Sequence, residues 1–287
     1  MPMSAYDAAI QLGGIASRAE LVRLSSEKRV RRSLERGVLT MLPGRRVAVN
    51  TSDRAQRAAY SFGGIASHAS AALLLEWPVL TVPELPQVTV QPGTSWPDEP
   101  LEVPELFERR WRRGDHDGWH TTALRTVLDC ARDLPFAEAL AIADSALRAG
   151  ALERDELLDA AGQVRGPLAA HVRRVAAYAD AGAANPFESA LRALCIEVGL
   201  DVVTQWEVAL DSFTVHPDLA NPLLGLAVEA DSYTSHGADP AAFEADCERY
   251  DLLVVAGWTV LRFTYRQVMR RPDWVRAVLR RAMQGPI

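Results

Sequence analysis

The sequence predicts a multi-domain α+β protein of 287 residues. Helical patterns with clear cap and stop residues fill residues 121–183, whereas seven of the 17 prolines fall within residues 78–104, around one short strand-like run. Alternating apolar runs return after residue 200 and are interrupted by acidic residues. Because helical and strand-like stretches are segregated, and because a chain of this length can bury more than one core, several α+β domains are expected.

The composition is that of an ordinary globular protein, with 48% hydrophobic and 24% charged residues. No apolar run approaches membrane-spanning length, and the N-terminus lacks the basic and apolar regions of a signal peptide. The three cysteines, Cys130, Cys195 and Cys247, are far apart and odd in number, which favours reduced thiols over disulfides or a zinc site. We therefore expect a cytoplasmic protein without a membrane partner.

The charge of this chain is unevenly distributed. The formal net charge is −6, yet residues 1–50 carry nine Lys and Arg against four Asp and Glu. From Tyr265 to the end there are six arginines against one aspartate, and Lys28 is the only lysine of the whole chain. Two basic ends on an acidic body indicate local anion-binding surfaces.

Residues 1–52 have the layout of a winged helix-turn-helix DNA-binding domain. Three short helical patterns are followed by two strand-like runs that a Pro43-Gly44 turn connects. In the third helix Val30 and Leu34 face inward and basic residues cover the remaining surface. Such a helix enters a major groove while the hairpin presses on phosphates. The predicted DNA-binding residues are Lys28, Arg29, Arg31, Arg32, Arg36, Arg45 and Arg46. The alternative interpretation is a solvated basic helix in a small structural domain.

Within the central part of the chain, the helical stretch of residues 121–181 shows no catalytic pattern. Residues 53–120 are predicted to form a mixed α/β middle region, because the dense prolines exclude a long helix and favour short strands. Residues 121–183 are predicted to form a helical connector of four consecutive helices.

Residues 184–287 are predicted to form a small α/β domain that carries the chemistry. In the run LLGLAVEAD, strand alternation places Glu229 and Asp231 together on one face. Asp218 lies at the start of a neighbouring segment, and Glu188 lies near the start of the preceding helix. Carboxylate oxygens suit Mg²⁺ or Mn²⁺, and Glu188 is placed to orient water or a second ion. This pattern indicates metal-assisted phosphodiester hydrolysis.

The N-terminal stretch also resembles a known family. The segments GGIASRAEL and RVRRSLERGVLTMLPGRRVAVN are similar to the N-terminal domain of AbiEi-type abortive-infection antitoxins. The resemblance covers roughly the first 50 residues. It implies a winged helix that binds duplex DNA, as the residue pattern also does.

The C-terminal segment resembles the endonuclease-like domain related to very-short-patch-repair (Vsr) endonucleases, in the PD-(D/E)XK nuclease superfamily. The similar segments are HPDLA, AVEAD and AFEADCERYDLLVVAGWTVLRFT. The resemblance implies a restriction-endonuclease-like fold over residues 184–287, in which Glu188, Asp218 and Glu229 match the acidic motif. Asp231 occupies the position of the usual lysine. The residues that match supporting polar positions are Gln205, Asp246, Arg249 and Arg262.

The missing lysine opens two alternatives. Either Asp231 suffices at that position, or His236, five residues later, serves as base or water ligand. The predicted catalytic residues are therefore Glu188, Asp218, Glu229, Asp231 and His236, and the predicted metal ligands are Asp218, Glu229 and Asp231.

The sequence thus predicts a DNA-binding protein with a Mg²⁺- or Mn²⁺-dependent endonuclease domain, acting in repair or defence and associated with the nucleoid when bound to duplex DNA. The alternative is a non-catalytic, antitoxin-like transcriptional regulator with a degenerate nuclease fold, which the missing lysine favours. A homodimer and a toxin or repair protein are open as further partners.

Overall fold

The computed structural model describes residues 3–42, 45–50, 52–95, 102–210, 213–231 and 240–285. It confirms an α+β protein with several sheets. The chain divides into two compact units, the first comprising residues 1–76 and 82–129 and the second residues 77–81 and 130–287. The finer division at residues 52, 120 and 183 stays a prediction.

The first elements of unit 1 are three helices and a three-stranded sheet with strand order β1-β3-β2. Ser17 begins α2 with a capping box, because its hydroxyl accepts from the Glu20 N–H while Glu20 accepts from the Ser17 N–H. Leu21, Val30 and Val47 are fully buried between these helices and the sheet. The elements are α1 (Ala5–Gln11), β1 (Ile15–Ser17), α2 (Arg18–Leu24), α3 (Glu27–Glu35), β2 (Leu39–Leu42) and β3 (Arg46–Val49).

Unit 1 continues with a five-stranded sheet of order β6-β5-β4-β8-β7. Gly64 lies so close to β5 that a Cβ atom there would approach the Thr89 carbonyl oxygen to 2.5 Å, so a larger residue would displace the strand. The elements are α4 (Arg54–Ser61), β4 (Ile65–Ala66), α5 (His68–Leu74), β5 (Gln87–Val90), β6 (Glu105–Glu108), β7 (His116–Asp117) and β8 (His120–Thr121).

The middle of the chain is helical, and the four helices predicted over residues 121–183 are present as α6 to α9, followed by α10. A buried ion pair links two of them, since Arg192 of α10 donates to both oxygens of Asp144 in α7, at 2.7 and 2.8 Å. No helix in the described ranges is long and apolar enough to cross a membrane. The helices are α6 (Ala123–Asp133), α7 (Phe136–Arg148), α8 (Arg154–Gln163), α9 (Ala169–Tyr178) and α10 (Pro186–Glu197).

A four-stranded mixed sheet with helices on both faces forms the last part of unit 2. Its strand order is β14-β13-β12-β9, with β13 and β14 parallel and the other pairs antiparallel. Helices α10, α12 and α13 pack on one face, and α11 packs on the other. The elements are β9 (Val203–Thr204), β10 (Val208–Leu210), β11 (Phe213–Val215), β12 (Leu219–Asn221), β13 (Leu226–Asp231), α11 (Pro240–Val255), β14 (Thr259–Thr264), α12 (Tyr265–Arg270) and α13 (Pro272–Ala282).

Two strand predictions are corrected here. The run DVVTQWEV, residues 201–208, has the pattern of one strand, but the structure has two strands in different sheets there, because Gln205 has a left-handed φ of 49° that breaks the extended run. The sequence pattern also misses β12, whose three residues are too few to show alternation. Pairing on both sides, with β13 and β9, holds β12 extended.

Candidate functional site

Four residues form one row across the mixed sheet. The antiparallel register of β12 and β13 pairs Leu219 with Val228, so Asp218, the residue before β12, comes next to Glu229. The parallel register of β13 and β14 places Arg262 beside Glu229. On the far side of Asp218, the Gln205 N–H donates to the Asp218 carbonyl oxygen over 3.2 Å. Residues that are distant in sequence therefore meet at one level of the sheet.

Asp218 and Glu229 are two carboxyl groups held next to each other in a poorly solvated place. Glu229 is 1% exposed, and Asp218 is half-buried and accepts a hydrogen bond from the Ala230 N–H at 2.8 Å. Burial raises the pKa of Asp218; burial and the nearby charge of Asp218 raise the pKa of Glu229 to about 7. Two such carboxylates repel each other, so a shared proton or a bound cation stabilises the pair.

Glu188 belongs to the same electrostatic cluster. It lies in the first turn of α10, where its carboxylate accepts from the Ala184 N–H and from the Asn185 amide, both at 2.7 Å. Burial, and then the negative charge of Asp218, raise the pKa of Glu188 to about 7. Because both oxygens already accept hydrogen bonds, Glu188 is well fixed, and the charge of Asp218 acts on it without a direct hydrogen bond.

Helix α11 supplies a cation to this cluster. The Arg249 guanidinium donates to Glu229 Oε1 at 2.8 Å and to the Tyr250 hydroxyl oxygen at 2.9 Å, and it lies 3.4 Å from Asp246. Burial, and then the charge of Glu229, raise the pKa of Tyr250 to about 12. Arg249 and Asp246, both expected in supporting positions, are therefore placed beside the carboxylate pair.

Asp231 is paired with an arginine of the adjacent strand, and in this it differs from Asp218 and Glu229. Its carboxylate forms an ion pair with Arg262 at 2.7 Å, and the Arg262 guanidinium lies over the Tyr250 ring, 4.1 Å from its centroid. Asp231 lies two residues beyond Glu229 on the same strand face. Its negative charge is thus compensated by an arginine from the adjacent strand.

The side chains of this site supply some of the ligands that a bound divalent cation needs. Within the described ranges, no group of three or more His, Cys, Asp or Glu side chains is arranged to hold a metal ion. Asp218 and Glu229 nevertheless offer two adjacent carboxylates, and Mg²⁺ commonly binds one or two carboxylates and completes its shell with water and phosphate oxygens. The pair therefore fits a magnesium ion that substrate and water help to hold. His236 lies outside the described residues.

The side chains predicted to contact DNA lie on the surface of unit 1. Val30 is fully buried and Leu34 packs against the same core, so the opposite side of α3 faces solvent. Some of the charges are already engaged: Arg31 lies 3.6 Å from Glu35, and Arg29 donates to the Met3 carbonyl at 2.9 Å. The exposed basic residues are Lys28, Arg29, Arg31, Arg32, Arg36 and Arg45, and Arg46 is half-buried. The predicted Pro43-Gly44 turn lies outside the described residues.

Sequence reasoning missed Tyr250, which connects the two arginines of the site. Its hydroxyl accepts from Arg249, and its ring lies beneath Arg249 and Arg262, with 4.6 and 4.1 Å to the centroid. The available signal was its position four residues after Asp246, which places both on one side of α11.

Comparison with known proteins gives two groups of similar chains. No protein-family model matches the sequence. Over 168 residues the chain is 30% identical to the uncharacterized proteins Rv2248 and MT2308 from two strains of Mycobacterium tuberculosis. The match covers 54% of this chain and 58% of each relative, so the chain spans little more than half the length of these relatives. Among solved structures, the crystal structure of the RV2827C protein from Mycobacterium tuberculosis matches with a TM-score of 0.36 and 15% identity, covering 65% of this chain and 78% of that chain.

Proposed function

We propose that this chain is a DNA-binding protein whose C-terminal segment hydrolyses DNA phosphodiester bonds in a magnesium-dependent reaction. The observation that carries the proposal is the adjacent Asp218–Glu229 pair, with Glu188 close enough for the charge of Asp218 to raise its pKa. Carboxyl groups with strongly raised pKa values and specific charge partners are typical of functional sites.

Each residue of the site has a role in this proposal. Asp218 and Glu229 would hold the ion, and bound Mg²⁺ would stabilise negative charge on the phosphate and generate hydroxide from water. Arg249 fixes one oxygen of Glu229 through its hydrogen bond, so it is a positioning residue. Arg262, whose side chain is 39% exposed, can approach a phosphate oxygen while it remains paired with Asp231.

The arrangement of the elements supports the finer architecture. Three helices with a sheet of order β1-β3-β2, and a basic exposed α3, support a winged helix-turn-helix at residues 1–52. A mixed sheet covered by helices on both faces supports a restriction-endonuclease-like domain at residues 184–287. Duplex DNA is accordingly the proposed substrate.

The test is a cleavage assay with Mg²⁺ or Mn²⁺ on duplex, mismatched, branched and single-stranded DNA. Asp218→Asn and Glu229→Gln should each abolish cleavage, whereas Glu207→Gln, an exposed carboxylate of the same unit, should leave it unchanged. A protein that cuts none of these DNAs, or that still cuts after Asp218→Asn, would contradict the enzymatic proposal.

A second candidate is a non-catalytic, antitoxin-like regulator. The observation that favours it is the pairing of two site carboxylates with arginines, Glu229 with Arg249 and Asp231 with Arg262. In that case the protein should bind duplex DNA without cutting it, and a calorimetric titration with Mg²⁺ should give no heat that depends on Asp218. Magnesium binding that Asp218→Asn removes would instead support the enzyme.

A further inference from the structure

The last helices of unit 2 carry a concentration of positive charge that the carboxylate site does not use. Residues 265–287 contain six arginines and one aspartate, whereas residues 184–264 contain three arginines and 13 acidic residues. The basic residues are thus collected in α12, α13 and the turn between them. Such a contrast within one unit indicates a surface for an anionic partner.

Five of these six arginines have no carboxylate partner in the described part of the chain. Arg276 is the exception, because it pairs with Glu197 at 2.8 Å and with Asp273 at 2.7 Å. The other five are exposed: Arg266, Arg270, Arg271, Arg280 and Arg281. Like charges held close together repel one another, so this surface lowers its free energy when it meets an anion.

Helix stability accounts for only part of this placement. Arg270, Arg280 and Arg281 lie in the last turns of their helices, where a positive charge complements the helix dipole. Arg266 lies in the first turn of α12, where the same dipole disfavours a cation, whereas Arg271 lies between the two helices, as the C-cap of α12 and the N-cap of α13. The placement of Arg266 is therefore better explained by an external ligand.

Two exposed aromatic rings accompany the arginines. Tyr265 is 49% exposed and packs edge-on against Phe187, the residue before Glu188, with centroids 5.5 Å apart. Trp274 is 39% exposed and has the Arg271 guanidinium 5.1 Å from its ring centroid. Exposed aromatic rings among arginines are typical of surfaces that track a nucleic-acid strand.

This surface follows a residue of the carboxylate site directly in sequence. Helix α12 starts directly after β14, so Arg266 lies four residues beyond Arg262, which pairs with Asp231. Tyr265, beside Arg266, reaches back to the start of α10. The basic surface thus follows Arg262 along the chain and contacts, through Tyr265, the helix start that carries Glu188.

We propose that Arg266, Arg270 and Arg271, flanked by Tyr265 and Trp274, form a second nucleic-acid-binding surface that grips the sugar–phosphate backbone next to the carboxylate pair. It rests on the proposed function for its substrate, and it is separate from the basic surface of α3. Arginine binds phosphate oxygens through its planar fork of donors, and this contact is independent of base sequence.

The test measures binding of the full chain to a fluorescently labelled DNA duplex and to its single strand over a series of salt concentrations. All proteins carry Asp218→Asn to prevent cleavage and Arg31→Ala/Arg32→Ala to weaken the proposed α3 contact. Adding Arg266→Ala/Arg270→Ala/Arg271→Ala should lower duplex affinity at least tenfold. It should also reduce the slope of log K against log salt by about 2 to 3, because each phosphate that an arginine neutralises contributes about 0.9 to that slope.

Two controls make the result specific. Arg276→Ala removes an arginine of α13 that is paired with carboxylates, and it should leave the salt slope unchanged. Replacing Arg266, Arg270 and Arg271 by lysine should restore most of the salt slope that the alanine variant loses. Arg270→Ala alone removes an exposed side chain without a carboxylate partner in the described ranges, so it tests the surface even where the triple variant folds poorly. For Arg270→Ala the slope of log K against log salt should fall by about 1.

The outcomes separate this proposal from the catalytic one. An unchanged slope in the triple and single variants overturns the second surface while leaving any cleavage activity in place. A reduced slope in a protein that cuts no DNA supports the surface although catalysis fails. A third outcome would assign the surface to lipid. If the protein with intact Arg266, Arg270 and Arg271 binds vesicles containing phosphatidylserine, and the triple variant loses this binding but keeps its DNA binding, the nucleic-acid assignment is overturned.

Discussion

The two charged regions of this protein differ in how their charges are solvated. The arginines of α3 lie on the surface, where water and salt screen them, and the Arg31–Glu35 pair is about two-thirds exposed on both sides. At the carboxylate site, Glu229 is almost completely buried and Asp218 is adjacent to it. The first region presents its charge to solvent; the second holds charge at a cost in folding free energy.

This difference teaches that the number of ionic residues says little about their energetic importance. An exposed pair contributes about 0–1 kcal/mol because solvation competes with the ionic interaction. A buried carboxylate whose cationic partner is removed becomes an uncompensated charge, which costs several kcal/mol. The two regions should therefore respond very differently to equivalent substitutions.

The largest effect is expected at the buried cation. Arg249→Met removes the hydrogen bond to Glu229 Oε1 and should lower the free energy of unfolding by about 2 to 4 kcal/mol. Urea denaturation at neutral pH measures this change. The double variant Arg249→Met/Glu229→Gln should recover much of this stability, because the most buried carboxylate is then replaced by a neutral amide; equal destabilisation of the single and double variants would show that Arg249 contributes mainly by packing.

The second-largest effect is expected in the pH dependence of the free energy of unfolding. The pKa values of Glu188 and Glu229, about 7 in the folded protein, lie above their ordinary value of 4.5, so the folded state binds these protons more tightly than the unfolded state. The stability they contribute is therefore fully present below about pH 4.5 and is lost as the pH rises through about 7.

The free energy of unfolding should thus fall by on the order of 2 kcal/mol for each group between pH 5 and 8. Denaturation curves of the parent and of Glu188→Gln/Glu229→Gln measure this, and the difference between them isolates the two groups. Millimolar Mg²⁺ should recover stability at pH 8 in the parent only. If the free energy of unfolding of the parent instead rises relative to that of the variant between pH 5 and 8, burial of these two carboxyl groups is not the cause of the pH dependence.

A smaller effect is expected for the exposed arginines of α3. Arg31→Ala/Arg32→Ala should weaken duplex binding about tenfold at moderate salt and reduce the salt slope by about 2, while the unfolding midpoint stays nearly unchanged. Fluorescence anisotropy over a salt series provides the measurement. Arg18→Ala is the control, since Arg18 pairs with Glu27. Equal weakening in the control and the double variant would argue against α3 as the DNA-binding element.

The smallest effect is expected for the exposed ion pair itself. Glu35→Ala removes the acidic partner of Arg31 and should change the free energy of unfolding by less than about 0.5 kcal/mol. DNA affinity should rise slightly, because one negative charge is removed from the basic surface. Destabilisation comparable to that of Arg249→Met would remove the distinction between the two regions.

Much of the fold was predictable because its signals are local. The capping box of Ser17 and Glu20, the Asn185 cap with Pro186 at the start of α10, and the inward Val30 all follow from neighbours along the chain. The mixed sheet was harder to predict. Strand β12 has no alternation of its own, and the break at Gln205 depends on a left-handed backbone angle that the apolar pattern does not reveal.

The sequence by itself determined which residue types are present, how the helices begin and end, and that basic residues collect at both ends of the chain. Only the tertiary structure decided that Asp218 lies next to Glu229, that Arg249 pairs with Glu229 and Arg262 with Asp231, and that both arginines lie over the Tyr250 ring. The physical reason is that register and burial arise from pairing between distant segments. Burial, in turn, sets how strongly those charges interact.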